Sequence, residues 1–188
     1  MDARVFRAGA FGAVAMFLWT FVAHMLLPFG EAGIKQIHNE KPLLEQMKVT
    51  LPEPGLYMFP EMPAGETQEH YQKRIATSPS GLMAYFPGRE FNFGASLAVE
   101  FGTQLVQSLA LAWLLSVARL ETFGKRILLS AVVGLAVAVG TNVSYWNWYG
   151  FTATYTLAFM FTQWMSYVCA GLAAAGQFSA RHFHPAAA

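Results

Sequence analysis

The sequence predicts an all-α membrane protein: four transmembrane helices, with a small α+β extracytoplasmic insertion between helices 1 and 2. Three observations carry that expectation. Hydrophobic residues make up 55% of the chain and charged residues only 12%, against roughly one quarter charged in a soluble domain. Four apolar stretches, residues 8–27, 93–117, 127–146 and 152–176, approach or exceed the ~20 residues that ~30 Å of hydrocarbon requires. The segment between the first two is polar and punctuated by prolines. The chain therefore divides into a tail and first span over 1–27, an outer domain over 28–92, three spans over 93–178 and a cytoplasmic tail over 179–188.

Taken in order, the first span follows Arg4 and Arg7 in the manner of a signal peptide. It is long for a signal core, and its exit, Met25-Leu26-Leu27-Pro28-Phe29, lacks the small-residue cleavage pattern, so it reads as a retained anchor. In the outer domain, Asn39 is placed to cap a short amphipathic helix over 40–50, with Pro42 near its start and Leu43, Leu44 and Met47 along one stripe. Pro52, Pro54 and Gly55 stop that helix. The aromatic pieces Leu56-Tyr57-Met58-Phe59-Pro60 and Gly81-Leu82-Met83-Ala84-Tyr85-Phe86-Pro87 echo one another and read as paired strands, with a helix over 66–75 between them. Two short strands and two helices bury little surface in water. Tyr57, Phe59, Tyr85 and Phe86 read as core and membrane-surface packing.

Lysine and arginine near the span ends set the orientation. Arg4 and Arg7, then Arg119, Lys125 and Arg126, then Arg181 fall on one side, and the turn over 147–151 has none. Both termini are expected in the cytoplasm. Trp146, Trp148 and Tyr149 read as anchors at the outer headgroup layer, Gly150 as the reversal, and Asn147 as a cap.

Polar residues inside the apolar stretches are the candidates for function, because each is costly in lipid unless partnered. Glu100 is the foremost. It lies about 10 Å along its helix, and Ser96, Glu100, Gln104 and Gln107 share one face, expected to point into the bundle. His24, Asn142 and Tyr155 fall about one turn from the outer ends of the other spans. The candidate binding set is therefore His24, Glu100, Gln104, Asn142 and Tyr155, with Gln107, Gln163 and Ser166 nearer mid-membrane. Two readings stand: a proton-handling or ligand-binding site built on His24 and Glu100, or hydrogen bonding that holds the helices together. Gly134 with Ala138, Ala136 with Gly140, and Gly171 with Ala175 are small-residue pairs that let helices approach closely.

Several chemistries lack support. His38, His70, His182 and His184 have no spacing that sets two metal ligands on one helical face, and no catalytic or metal-ligating set is assigned. Cys169 is the sole cysteine and reads as a packing residue. A net charge of +1 offers no basic stripe for nucleic acid. No phosphate loop and no G-x-S-x-G turn is present, and no cofactor is named by the sequence.

Trp19, His24-Met25-Leu26-Leu27-Pro28, Asn39-Glu40, Pro54-Gly55-Leu56-Tyr57-Met58-Phe59-Pro60, and above all Tyr145-Trp146-Asn147-Trp148-Tyr149-Gly150-Phe151 with Tyr155-Thr156 resemble a family of small, functionally uncharacterised four-helix bacterial membrane proteins. The resemblance implies a multi-pass protein of the bacterial inner membrane and no activity. The expected function is a non-catalytic accessory or partner-docking subunit of a membrane complex, its partners being the bilayer and other subunits. A small transporter-like or enzymatic protein with an intramembrane site around His24 and Glu100 is the alternative.

Overall fold

The computed structural model describes residues 2–178; the expected tail, with Arg181, His182 and His184, lies outside them. Four of its helices are long and apolar enough to cross a membrane, which marks a multi-pass membrane protein. In chain order the elements are α1 (Ala3–Phe21), α2 (Lys41–Thr50), β1 (Gly55–Phe59), α3 (Gln68–Thr77), β2 (Gly81–Tyr85), α4 (Phe93–Val117), α5 (Phe123–Tyr149) and α6 (Ala153–Ala175). They form two compact units. One holds 2–34, 92–144 and 152–178; the other holds Lys35–Phe91 and Tyr145–Phe151.

In the helical unit, each start has a local cause. Asp2, Asn92, Thr122 and Thr152 accept backbone N–H bonds from Arg4, Ala95, Lys125 and Tyr155, satisfying donors that a helix leaves open at its first turn. At its far end α1 widens into a π-helical turn, Val22–Leu26, closed by the Leu27 N–H on the Val22 carbonyl. The chain then folds back so that Gly33, at φ +77°, lies over the first turn of α6. A Cβ there would come within 2.5 Å of Thr152 Oγ1 and 2.6 Å of the Tyr155 nitrogen, so both the backbone angle and the space demand glycine.

α1 lies against both α4 and α6, and α5 packs on α6. Small residues make these contacts close. Gly9 sits on Leu109 and Gly12 on Ser108, while Gly134 sits on Tyr167 and Gly171 on Ser130. Ala8, Met16, Leu111, Ala112, Leu115, Ala170 and Ala174 fill the core. The outer surface is the more apolar one: Phe11, Leu18, Val106, Leu128 and Leu157 are exposed, whereas Gln104, Ser108, Arg126, Ser130, Asn142 and Thr162 are buried. The expected pair Ala136 and Gly140 is exposed, with open space over Gly140.

The second unit contains the paired strands foreseen in the sequence, antiparallel from Gly55 opposite Tyr85 to Phe59 opposite Gly81. Among its described residues only Tyr85 is buried. Tyr57 packs edge-on against it at 6.2 Å, and Phe59 and Phe86 remain exposed. Polar ties do much of the holding. Arg74 pairs with Glu66 at 2.6 Å, donates to the Glu61 carbonyl, and lies over the Tyr71 ring.

Two expected details differ. Asn39 does not cap α2: it takes a left-handed φ of +53°, which asparagine tolerates better than most residues, and Glu40 occupies the cap position without a side-chain bond. Asn147 caps nothing either, because α5 continues through it to Tyr149 and Gly150, at φ +73°, makes the reversal.

Gly134→Leu should lower thermal stability in detergent by about 1–3 kcal/mol, because its Cβ alone would reach within 2.5 Å of Tyr167. Gly140→Ala, facing open space, should hold or raise it. Equal losses for the two variants would contradict this packing.

Candidate functional site

The five candidate residues fall into three local groups. On α1 and α4, Gln104 is the hub. It is buried to 4% exposure, and its Nε2 donates to Thr20 Oγ1 at 3.0 Å and to Glu100 Oε1 at 2.7 Å. Its own Oε1 is buried without a hydrogen-bond partner. An amide offers two donors and two acceptor sites, so this hub has committed its donors and none of its acceptors.

Glu100 itself corrects the expectation of an inward face. It is exposed, as is Ser96, and Gln107 is half-buried. The cause is the way α4 packs: every residue from 93 to 103 is exposed, and burial begins at Gln104 and continues through Ser108, Leu111, Ala112 and Leu115. Before Gln104 the helix touches α1 through Phe101, whose ring meets Phe17 edge-on at 5.7 Å, and burial is confined to its second half.

The second group is aromatic. The Nδ1 of His24 lies 2.9 Å from the Thr20 carbonyl, and since a carbonyl only accepts, Nδ1 must carry the proton. The imidazole meets Phe159 edge-on at 5.9 Å, and Phe159 stacks on Tyr155 at 4.2 Å. His24 and Glu100 form no ion pair among the described residues; each is tied through Thr20, one by its carbonyl and the other by way of the Gln104 amide.

The third group joins α5 to α6. Asn142 Nδ2 donates to Gln163 Oε1 and to the Ala138 carbonyl, both at 2.9 Å. Gln163, expected in a deeper layer, is thus the partner of Asn142. Trp19 and Trp164 add two further cross-helix bonds, to the carbonyls of Thr162 and Ala131.

No protein-family model, curated protein or solved structure matches this chain.

One buried group escaped sequence reasoning. Arg126 was read only as a topology charge, yet it is 4% exposed. Its guanidinium donates to the carbonyls of Leu120, Glu121 and Ala175. It ties the loop before α5 to the last turn of α6, where carbonyls lack partners in their own helix. The signal was present: Arg126, Ser130, Gly134, Ala138 and Asn142 repeat every fourth residue, and these are the buried residues of α5.

Among the described residues no three His, Cys, Asp or Glu side chains gather as a metal site. The chemistry on offer is a carboxylate beside an amide, an imidazole against two aromatic rings, and cross-helix amide bonds.

Arg126→Lys should destabilise the protein by about 1–3 kcal/mol, since an ammonium cannot span three carbonyls in the plane that a guanidinium serves. Unfolding in detergent measures it, and a variant as stable as the parent would show these bonds to be unimportant.

Proposed function

We propose that this chain is a non-catalytic subunit of a membrane complex, seated in a bacterial inner membrane, whose helices bind other subunits. The observation that carries this reading is the exposed carboxylate of Glu100 in the first half of α4, where Phe101 meets Phe17 but Val99 and Gly102 are open. A carboxylate in the hydrocarbon layer costs at least ~2.5 kcal/mol unless it is paired or hydrated. Among the described residues Glu100 accepts a hydrogen bond from Gln104 and is otherwise exposed, so a neighbour in the membrane is the natural source of further cover.

Orientation and location rest on charge and on resemblance. Arg4, Arg7, Arg119, Lys125 and Arg126 belong to the helix ends and loop where α1 and α5 begin and α4 finishes. That end faces the cytoplasm under the positive-inside rule, which puts the unit around β1 and β2 on the outer side. The likeness to small bacterial membrane proteins supports the inner membrane. Against a proton-relay or transport site stands the arrangement of its two candidate groups. The His24 ring is turned onto its own helix and Phe159, and it shares no bond with Glu100.

Glu100→Gln separates the readings. The variant should keep a melting temperature equivalent to within about 0.5 kcal/mol of the parent, as for a surface change, while the native assembly on blue native gels weakens. Assembly intact with loss of a proton- or solute-linked phenotype would favour a site of chemistry instead.

A further inference from the structure

We infer that Arg89, laid over the rings of Phe86 and Phe91, holds the phosphate of a membrane phospholipid, and that the apolar face of the β1–β2 ribbon rests on the bilayer beside it. The inference is independent of the subunit reading above. It needs only that α4 spans a membrane.

The guanidinium carbon of Arg89 stands 4.7 Å from the centre of the Phe86 ring and 5.9 Å from that of Phe91. Rings attract the charge of the group but lack the oxygen lone pairs that its N–H donors require. Arg74, in the same unit, has both kinds of partner: it lies over the Tyr71 ring, pairs with the Glu66 carboxylate and donates to the Glu61 carbonyl. Arg89 has the rings and lacks the oxygens. Among the described residues no carboxylate or carbonyl pairs with it, the adjacent Glu90 included, and it is exposed.

Its place in the chain says which oxygens complete the set. Glu90, Phe91 and Asn92 alone separate Arg89 from Phe93, the first residue of α4, so its backbone lies within about 14 Å of the start of that helix. With 25 residues, α4 is about 37 Å long against about 30 Å of hydrocarbon, and its ends reach the headgroups. Phosphate oxygens are the abundant acceptors in that layer. A guanidinium meets two of them at once, as a fork.

The ribbon supplies the apolar half of the match. Alternate residues of a strand share a face, and Tyr57 packs against Tyr85 on one side. The other side carries Leu56 opposite Ala84 and Met58 opposite Leu82, without a polar side chain. Leu56 is 68% and Met58 55% exposed. From Tyr85 the chain passes directly into Phe86 and the arginine loop. A phospholipid joins acyl chains to a phosphate in one molecule, and so answers both features together.

The test follows lipid binding to the full chain in mild detergent by native mass spectrometry, using phosphatidylglycerol and diacylglycerol with the same acyl chains. Arg89→Gln should weaken the binding of one phosphatidylglycerol about tenfold and leave diacylglycerol unchanged. Lys48→Gln, which removes another exposed cation of this unit, should alter neither. An unweakened Arg89→Gln, an equal loss with diacylglycerol, or an equal loss in Lys48→Gln would overturn the inference. Displacement of the lipid by glycerol phosphate would also overturn it, by showing a site for a free phosphate. In native membranes, a photo-crosslinking residue at Met58 should yield adducts with phospholipid. Adducts with a second copy or with another protein would give the ribbon face to protein and reject the lipid.

Discussion

The helical unit depends on backbone approach at a handful of glycines. Between helices surrounded by hydrocarbon there is no hydrophobic force to drive association, because lipid tails are as apolar as leucine, so packing and hydrogen bonds must do it. Gly12 against Ser108 and Gly134 against Tyr167 bring the chains close enough for those short-range terms to act. The cross-helix bonds follow from that closeness. Asn142 reaches Gln163, Trp164 reaches the Ala131 carbonyl, and Arg126 reaches Ala175 because α5 lies so near α6. Alanine fills the rest, with Ala8, Ala170 and Ala174 fully buried. A larger residue in their place would push the polar partners out of range.

Much of the architecture was legible because its signals are one-dimensional. The run at 93–117 became α4 without change, and the echoing aromatic pieces became β1 and β2 in antiparallel register. The third apolar run extended from 127–146 to Phe123–Tyr149, at its far end because amide and aromatic residues such as Asn147 and Trp148 continue a helix once its ladder is established. Asn39 was misread as a cap. The residue type was informative, since asparagine favours both caps and left-handed turns, but sequence does not distinguish the two.

The candidate site was less legible. A residue's rank along a helix follows from sequence, whereas which face is covered depends on where neighbours stand. Glu100 and Gln104 lie four residues apart on adjoining positions, yet one is exposed and the other is 4% exposed. On a helix that is apolar nearly all round, periodicity gives no reference direction. Gln104, ranked below Glu100, proves to be the better connected of the two. Arg126 was missed for the opposite reason: an arginine at a span end has a ready explanation in membrane topology, and that explanation masks its service to buried carbonyls.

The π-helical turn at Val22–Leu26 carries a consequence of its own. Such a turn is an α-helix holding one surplus residue, so everything beyond it is rotated by about 100° relative to an uninterrupted helix. His24 falls inside that phase slip, where its imidazole meets Phe159 and its proton rests on Thr20. The insertion also releases α1 from its own regularity just before the chain turns back over α6. A length change of a single amino acid at this point would re-aim the histidine while leaving the helix below it in register, and would also shift the Gly30 backbone that packs on it.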